Sequence, residues 1–128
     1  MSKKRKLLSG FFLLTIVFCL AVIAIEAQTK IFRRAIDNFV FDNWNHYLPC
    51  SKLPSELEVN TIFRQHLDVI SSIEQINPGM VGVEVDSSTC PGKADLVIWY
   101  PSHTDRLAIE RNIASGTFFG IPYQLQNR

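Results

Sequence analysis

The sequence predicts an α+β domain of one small sheet and two helices, carried behind a single N-terminal transmembrane helix. Three observations predict it. Residues 7–25 carry no charge. Val59, Ile62, Phe63, His66, Ile70 and Ile73 recur at helical spacing behind the capping pair Ser55 and Glu58. Two alternating stretches, Val81, Val83, Val85 and then Ala94, Leu96, Ile98, Tyr100, flank a loop containing Pro91-Gly92 and read as a hairpin.

The N-terminal run comes first in the argument. Lys3, Lys4, Arg5 and Lys6 form a basic cluster, and from Leu7 to Ile25 the polar residues are Ser9 and Thr15. Nineteen helical residues reach roughly 28 Å, close to the ~30 Å hydrocarbon core of a bilayer. A cleavable signal has a shorter apolar stretch and a small-x-small site. Here the best cleavage candidate is Ile25-Glu26-Ala27, which opens on Ile, so the segment is expected to stay as an anchor. Cys19 follows Phe18 inside the apolar run, which excludes a lipoprotein site and leaves a small apolar side chain. The basic cluster lies directly against the run and favours a cytoplasmic N-terminus with the domain outside. The expected organisation is a cytoplasmic tail (1–6), a signal-anchor helix (7–25), an aromatic-rich juxtamembrane segment (26–50) and an extracytoplasmic domain (51–128).

From Ala27 to Arg128 there are nine Lys/Arg against eleven Asp/Glu, a net charge of −2, which is no footprint for nucleic acid. Phe32, Ile36, Val40 and Trp44 suit a helix stripe, whereas Asn38 to Phe41 would also suit a strand. If it is a strand, the order becomes βαββαβ, a complete ferredoxin-like sandwich. If not, the last strand must join the sheet as a parallel neighbour of the second hairpin strand. Trp44 and Tyr47 are expected in the core, with a membrane interface as the alternative. Asn77-Pro78-Gly79 stops the first domain helix. Ser102 and Asp105 cap a second helix carrying Leu107, Ile109 and Ile113, with Gly116 as its stop. Phe119, Ile121, Tyr123 and Leu125 alternate in a last strand that Pro122 assigns to an edge.

Either topology brings the start of the first domain helix and the hairpin loop to the same end. Cys50 and Cys90 are thereby expected to meet as a structural disulfide. A metal pair is disfavoured, since there is no C-x-x-C and His46, His66 and His103 lack ligand spacing. Ser102, His103 and Asp105 bring hydroxyl, imidazole and carboxylate together, but neighbours at a helix start point apart and read as a cap, not a triad. Glu84 and Asp95 share the outer sheet face with Val97 and Trp99. Two carboxylates there fit a solvated face better than a metal or acid–base pair. An unroofed tryptophan makes Trp99, Val97, Glu84 and Asp95 the candidate partner surface, unless the juxtamembrane segment folds over it.

The runs Asn77 to Val85, Ala94 to Tyr100 and Phe119 to Tyr123 resemble small propeptide-like α+β modules found beside bacterial proteases. The likeness is one of pattern; it assigns no family and carries over no functional residue. The expected function is a non-catalytic, membrane-anchored extracytoplasmic interaction module without a cofactor. Its expected partners are membrane lipid along Leu7 to Ile25 and an envelope protein. The alternatives are a protease-inhibitor or propeptide-like domain that uses its last strand as an edge, and a secreted domain with an unrecognised enzymatic activity.

Overall fold

The computed structural model describes residues 3–128. It separates into two compact units, the first running to Ala35 and the second spanning Ile36–Arg128.

The first unit is dominated by helix α1, Lys3–Thr29. Its stretch Leu8–Thr29 is 22 residues long, has a mean hydropathy of 2.8 and buries nothing within the protein. Leu13, Phe18 and Ile23, for example, are all exposed. Thr15 and Thr29 return their hydroxyls to the carbonyls of Phe11 and Ile25, so neither leaves a donor unmet. This is one apolar helix long enough to cross a membrane, a property shared by a membrane span and an export signal. Lys30 breaks it with a φ of 54°, and helix α2 follows at Ile31–Phe39. The Glu26 carboxylate accepts hydrogen bonds from the amides of Phe32 and Arg33, at 2.8 and 3.1 Å. Those are first-turn donors that a helix cannot satisfy for itself.

In the second unit, helix α3 (Glu56–Gln65) starts where Ser55 Oγ accepts the Glu58 amide, as the capping pair requires. The expected single helix is in fact two. It breaks at His66 (φ −121°, ψ 34°), whose amide turns to the Phe63 carbonyl, and resumes as α4, Leu67–Glu74. The imidazole stacks flat on Phe119, ring centroids 3.5 Å apart. Val59 before the break and Ile70 and Ile73 after it all lie in the core.

The sheet has three strands: β1 (Gly82–Asp86), β2 (Asp95–Tyr100) and β3 (Tyr123–Asn127). They lie in the order β1-β2-β3, with β1 antiparallel and β3 parallel to β2. Helix α5, His103–Asn112, makes the crossover between β2 and β3. Its N-cap is Ser102, whose hydroxyl accepts the Asp105 amide. Between α5 and β3 the chain turns tightly over Phe118–Ile121, where Phe119 (φ 50°) and Gly120 (φ 88°) both take the left-handed conformation. Glycine adopts it freely and phenylalanine does not; the Phe119 ring is stacked on His66. Val83, Leu96, Ile98, Tyr100, Tyr123 and Leu125 point to one face and join Val59, Ile70, Ile73, Ile109 and Ile113 in a single core.

Asn38 to Phe41 is not a strand, and the ferredoxin-like sandwich is not formed. Asn38 and Phe39 end α2, and Asp42 turns the chain with a φ of 54°. The inserted strand would have separated β2 from β3, which instead pair directly. Trp44 makes a single antiparallel bridge to Leu125 on the far side of β3. Its ring lies 5.1 Å from Tyr123 and packs on the core.

Cys50 and Cys90 are bonded, 40 residues apart, with Cα atoms at 5.5 Å. Around them Ser55 bridges Lys93, the Glu56 amide reaches the Gly92 carbonyl and the Ala94 amide reaches the Pro54 carbonyl. The start of α3 and the hairpin loop are thus joined both covalently and by hydrogen bonds.

Candidate functional site

Alternation along the strands puts Gly82, Glu84, Asp86, Asp95, Val97, Trp99, Gln124 and Gln126 on the sheet face opposite the core. Pairing aligns Gly82 with Trp99 and Trp99 with Gln126, and likewise Glu84 with Val97 and Val97 with Gln124. The face is not uniformly open.

At the Asp95 end the segment following α2 covers it. His46 Nε2 lies 2.6 Å from Asp95 Oδ2, and Gln124 Nε2 donates to the same oxygen at 2.6 Å. Asn45 Nδ2 donates to Gln124 Oε1 at 3.0 Å. The His46 Nδ1 atom accepts the Leu48 amide at 2.9 Å, so the proton sits on Nε2 and points to Asp95. Both ring nitrogens are engaged, and this buried His–Asp pair has no free nitrogen to serve as a general base. It is a clasp that holds the segment to the sheet.

At the other end the face carries Arg128. Its Nη2 donates to Gln126 Oε1 at 2.9 Å and lies 3.5 Å from Glu84 Oε1. Gln126 is on β3 and Glu84 on β1, so the guanidinium passes over β2 between them. Beneath it Trp99 lies against Gly82: a Cβ built there would meet the indole at 2.0 Å. Only a residue without a side chain lets the ring come so close to the β1 backbone.

The four residues of the expected partner surface differ in exposure. Val97 is 2 % exposed and Asp95 3 % exposed, so neither presents a side chain to a partner. Two different parts of the chain close over the face. Glu84 is exposed and Trp99 partly exposed, and they remain as neighbours on one diagonal of the β1–β2 pair. Replacing Gly82 with Ala forces the indole off the strand. The expected loss is about 1–3 kcal/mol, typical of overpacking, read as a fall in the denaturation midpoint with a change in tryptophan emission.

A second polar cluster escaped the sequence reading. Arg106 on α5 is 5 % exposed. Its Nη1 donates to Asp42 Oδ1 at 2.9 Å, Nε to Glu110 Oε1 at 2.9 Å and Nη2 to Asn38 Oδ1 at 2.6 Å. His103 Nδ1 lies 2.7 Å from the same Asp42 oxygen, and the Tyr100 hydroxyl donates to the Asp42 carbonyl. Burial, together with the Asp42 charge, pushes the Tyr100 phenol up to about 12. Burial also acts to raise the Asp42 carboxyl, but the hydrogen bonds from His103 and Arg106 outweigh it and hold the group below the ordinary carboxylate value. A carboxyl depressed by folding stabilises the folded state at pH values above its unfolded pKa. That contribution is lost as pH falls through the folded value, below about pH 4. Asp42→Asn is expected to flatten the acid limb of a stability–pH profile measured by urea denaturation.

The Ser102, His103 and Asp105 side chains do not converge as a triad. Ser102 Oγ and Asp105 Oδ2 bond each other at 2.7 Å, while His103 turns to Asp42. Among the described residues no three His, Cys, Asp or Glu side chains gather as a metal would need. A hollow of about 140 Å³ lies between Val69, Ile113, Phe118 and Phe119, and its lining brings no titratable group. No protein-family model, curated protein or solved structure matches the chain.

Proposed function

We propose that the chain is a membrane-tethered extracytoplasmic module that recognises another envelope protein through the Trp99–Glu84 strip of its outer sheet face. The observation that carries this reading is the indole of Trp99: partly exposed, laid on Gly82 and bordered by the exposed charges of Glu84 and Arg128. A pre-positioned aromatic ring with charges at its rim is the composition of an interface centre. The uncharged run from Leu7 to Ile25 within α1 supplies the tether. The Cys50–Cys90 bond supports an oxidising compartment.

The inhibitor reading needs the last strand to offer a free edge. Trp44 already pairs with Leu125 there, so support for it is weaker. A hydrolytic enzyme would need converging acid, base or nucleophile, and the clusters found are internally satisfied.

Trp99→Ala in the full-length membrane protein is expected to remain folded, with a midpoint lowered by the lost packing on Gly82, while sharply reducing recovery of the crosslinked partner. Gly82→Ala, which lowers the midpoint but keeps the indole, separates the two effects. Leu57→Ala, an exposed change on α3, should recover as much as the parent. Equal recovery by the Trp99 variant contradicts the proposal.

A further inference from the structure

Helix α2 has two unlike faces. At 100° per residue Ile31, Phe32, Ala35, Ile36 and Phe39 fall within one arc, with Arg33, Arg34, Asp37 and Asn38 on the other. The polar face is used within the second unit: Asn38 accepts from Arg106 and Asp37 from the Tyr47 hydroxyl. The apolar face is bare. Ile36 is 50 % exposed, Phe39 84 %, and the following Val40 and Phe41 70 % and 57 %. An apolar run left in water at this density asks for an occupant.

We propose that this occupant is an anionic phospholipid surface: α2 is an interfacial helix whose Ile36 and Phe39 side, continued by Val40 and Phe41, enters the headgroup–acyl boundary. The inference rests on the reading of α1 as a retained membrane anchor. Its 27 residues extend about 40 Å, the thickness of a bilayer with its headgroups. The helix thus ends at headgroup level, and Lys30 is the single residue between it and α2. The break is built into the chain, since the Glu26 carboxylate caps the new helix. Lys30, Arg33 and Arg34 bring three cations to the same level, the complement of anionic lipid headgroups. An apolar arc with basic residues on the opposite side is the pattern of helices lying in a membrane plane.

The test uses the full-length chain carrying Phe39→Trp, reconstituted in phosphatidylcholine–phosphatidylglycerol vesicles with plain or brominated acyl chains. After subtraction of the parent's Trp44 and Trp99 emission, the added tryptophan is expected to emit at shorter wavelength and to lose emission in the brominated vesicles. Leu57→Trp should do neither. If the Phe39→Trp chain floats with the vesicles but is unquenched by bromine and open to acrylamide, α2 stands in water and the inference fails alone. If it is unquenched by bromine yet shielded from acrylamide increasingly with protein density, a second copy covers the face, and the inference fails too. A chain that does not float has lost the anchor, and both readings fall together.

Discussion

Removing the Cys50–Cys90 bond by Cys50→Ser with Cys90→Ser is expected to cost the domain about 4 kcal/mol, the chain-entropy value for a loop of this length. The residues are 40 apart, so the bond withholds a large loop from the unfolded chain. The neighbouring contacts do not replace it. Ser55 with Lys93, Glu56 with Gly92 and Ala94 with Pro54 are bonds of the folded state and place no restraint on the unfolded one. A small domain has a total stability of only about 5–15 kcal/mol, so the loss is a major fraction. Urea denaturation of the full-length protein in detergent, with and without the substitutions, reads it as a lower midpoint. An unchanged midpoint, together with three titratable thiols in the denatured parent where the bonded chain has Cys19 alone, would show that the bond does not form.

Arg106→Leu is expected to cost about 3 kcal/mol, the scale for removing one partner of a buried ion pair. The guanidinium serves three acceptors, and leucine leaves Asp42 and Glu110 facing each other's charge beside the Tyr100 phenol. The effect is more than local. Asn38 and Asp42 lie in the segment that leads into the domain, and Arg106, with His103 beside it, fastens that segment to α5. Arg106→Lys keeps the charge but cannot form the three-way fork, so it should recover only part of the loss. In a double-mutant cycle with Asp42→Asn the two losses should be less than additive, because they remove one interaction twice. A variant within about 0.5 kcal/mol of the parent, the range of an ordinary surface change, would show that the cluster contributes nothing.

Much of the fold could be read from local chemistry. Ser55 and Ser102 cap the helices that their spacing announces, and the valines of β1 alternate as a half-buried strand must. The parallel pairing of β2 with β3 followed from chain order once no strand intervened. The cysteines met for the same topological reason. What could not be read was set by contacts distant in sequence. Asn38 to Phe41 has the residues of a strand, but the polar side of α2 is drawn to Arg106, far along the chain on α5. His66 breaks a helix that its own neighbours would continue, because Phe119 offers it a stacking partner. The His46–Asp95 clasp joins residues 49 apart, with nothing local to either that names the other. Arg106 is different, for it left a trace. It stands three and seven residues before Ile109 and Ile113, on the buried side of its own helix, with Glu110 one turn on. A charge in that stripe points to a buried pair.

For the four residues of the expected partner surface, the sequence showed the face and not the exposure. Strand alternation placed Trp99, Val97, Glu84 and Asp95 together on one side of the sheet, as the register has them. The alternative that the juxtamembrane segment folds over this face was open in the sequence, and His46 does so at Asp95. What the sequence did not name was His46 itself, or Arg128 as the bridge between Gln126 and Glu84 across β2.

The central claim is that α1 stays in the chain as a membrane anchor with the domain on the far side. Intact-mass analysis of the protein from the membrane fraction after alkaline carbonate washing tests it most directly, paired with protease digestion of spheroplasts. The account predicts a full-length chain that resists extraction and loses its domain to external protease. A soluble product beginning just after Ala27 would contradict it.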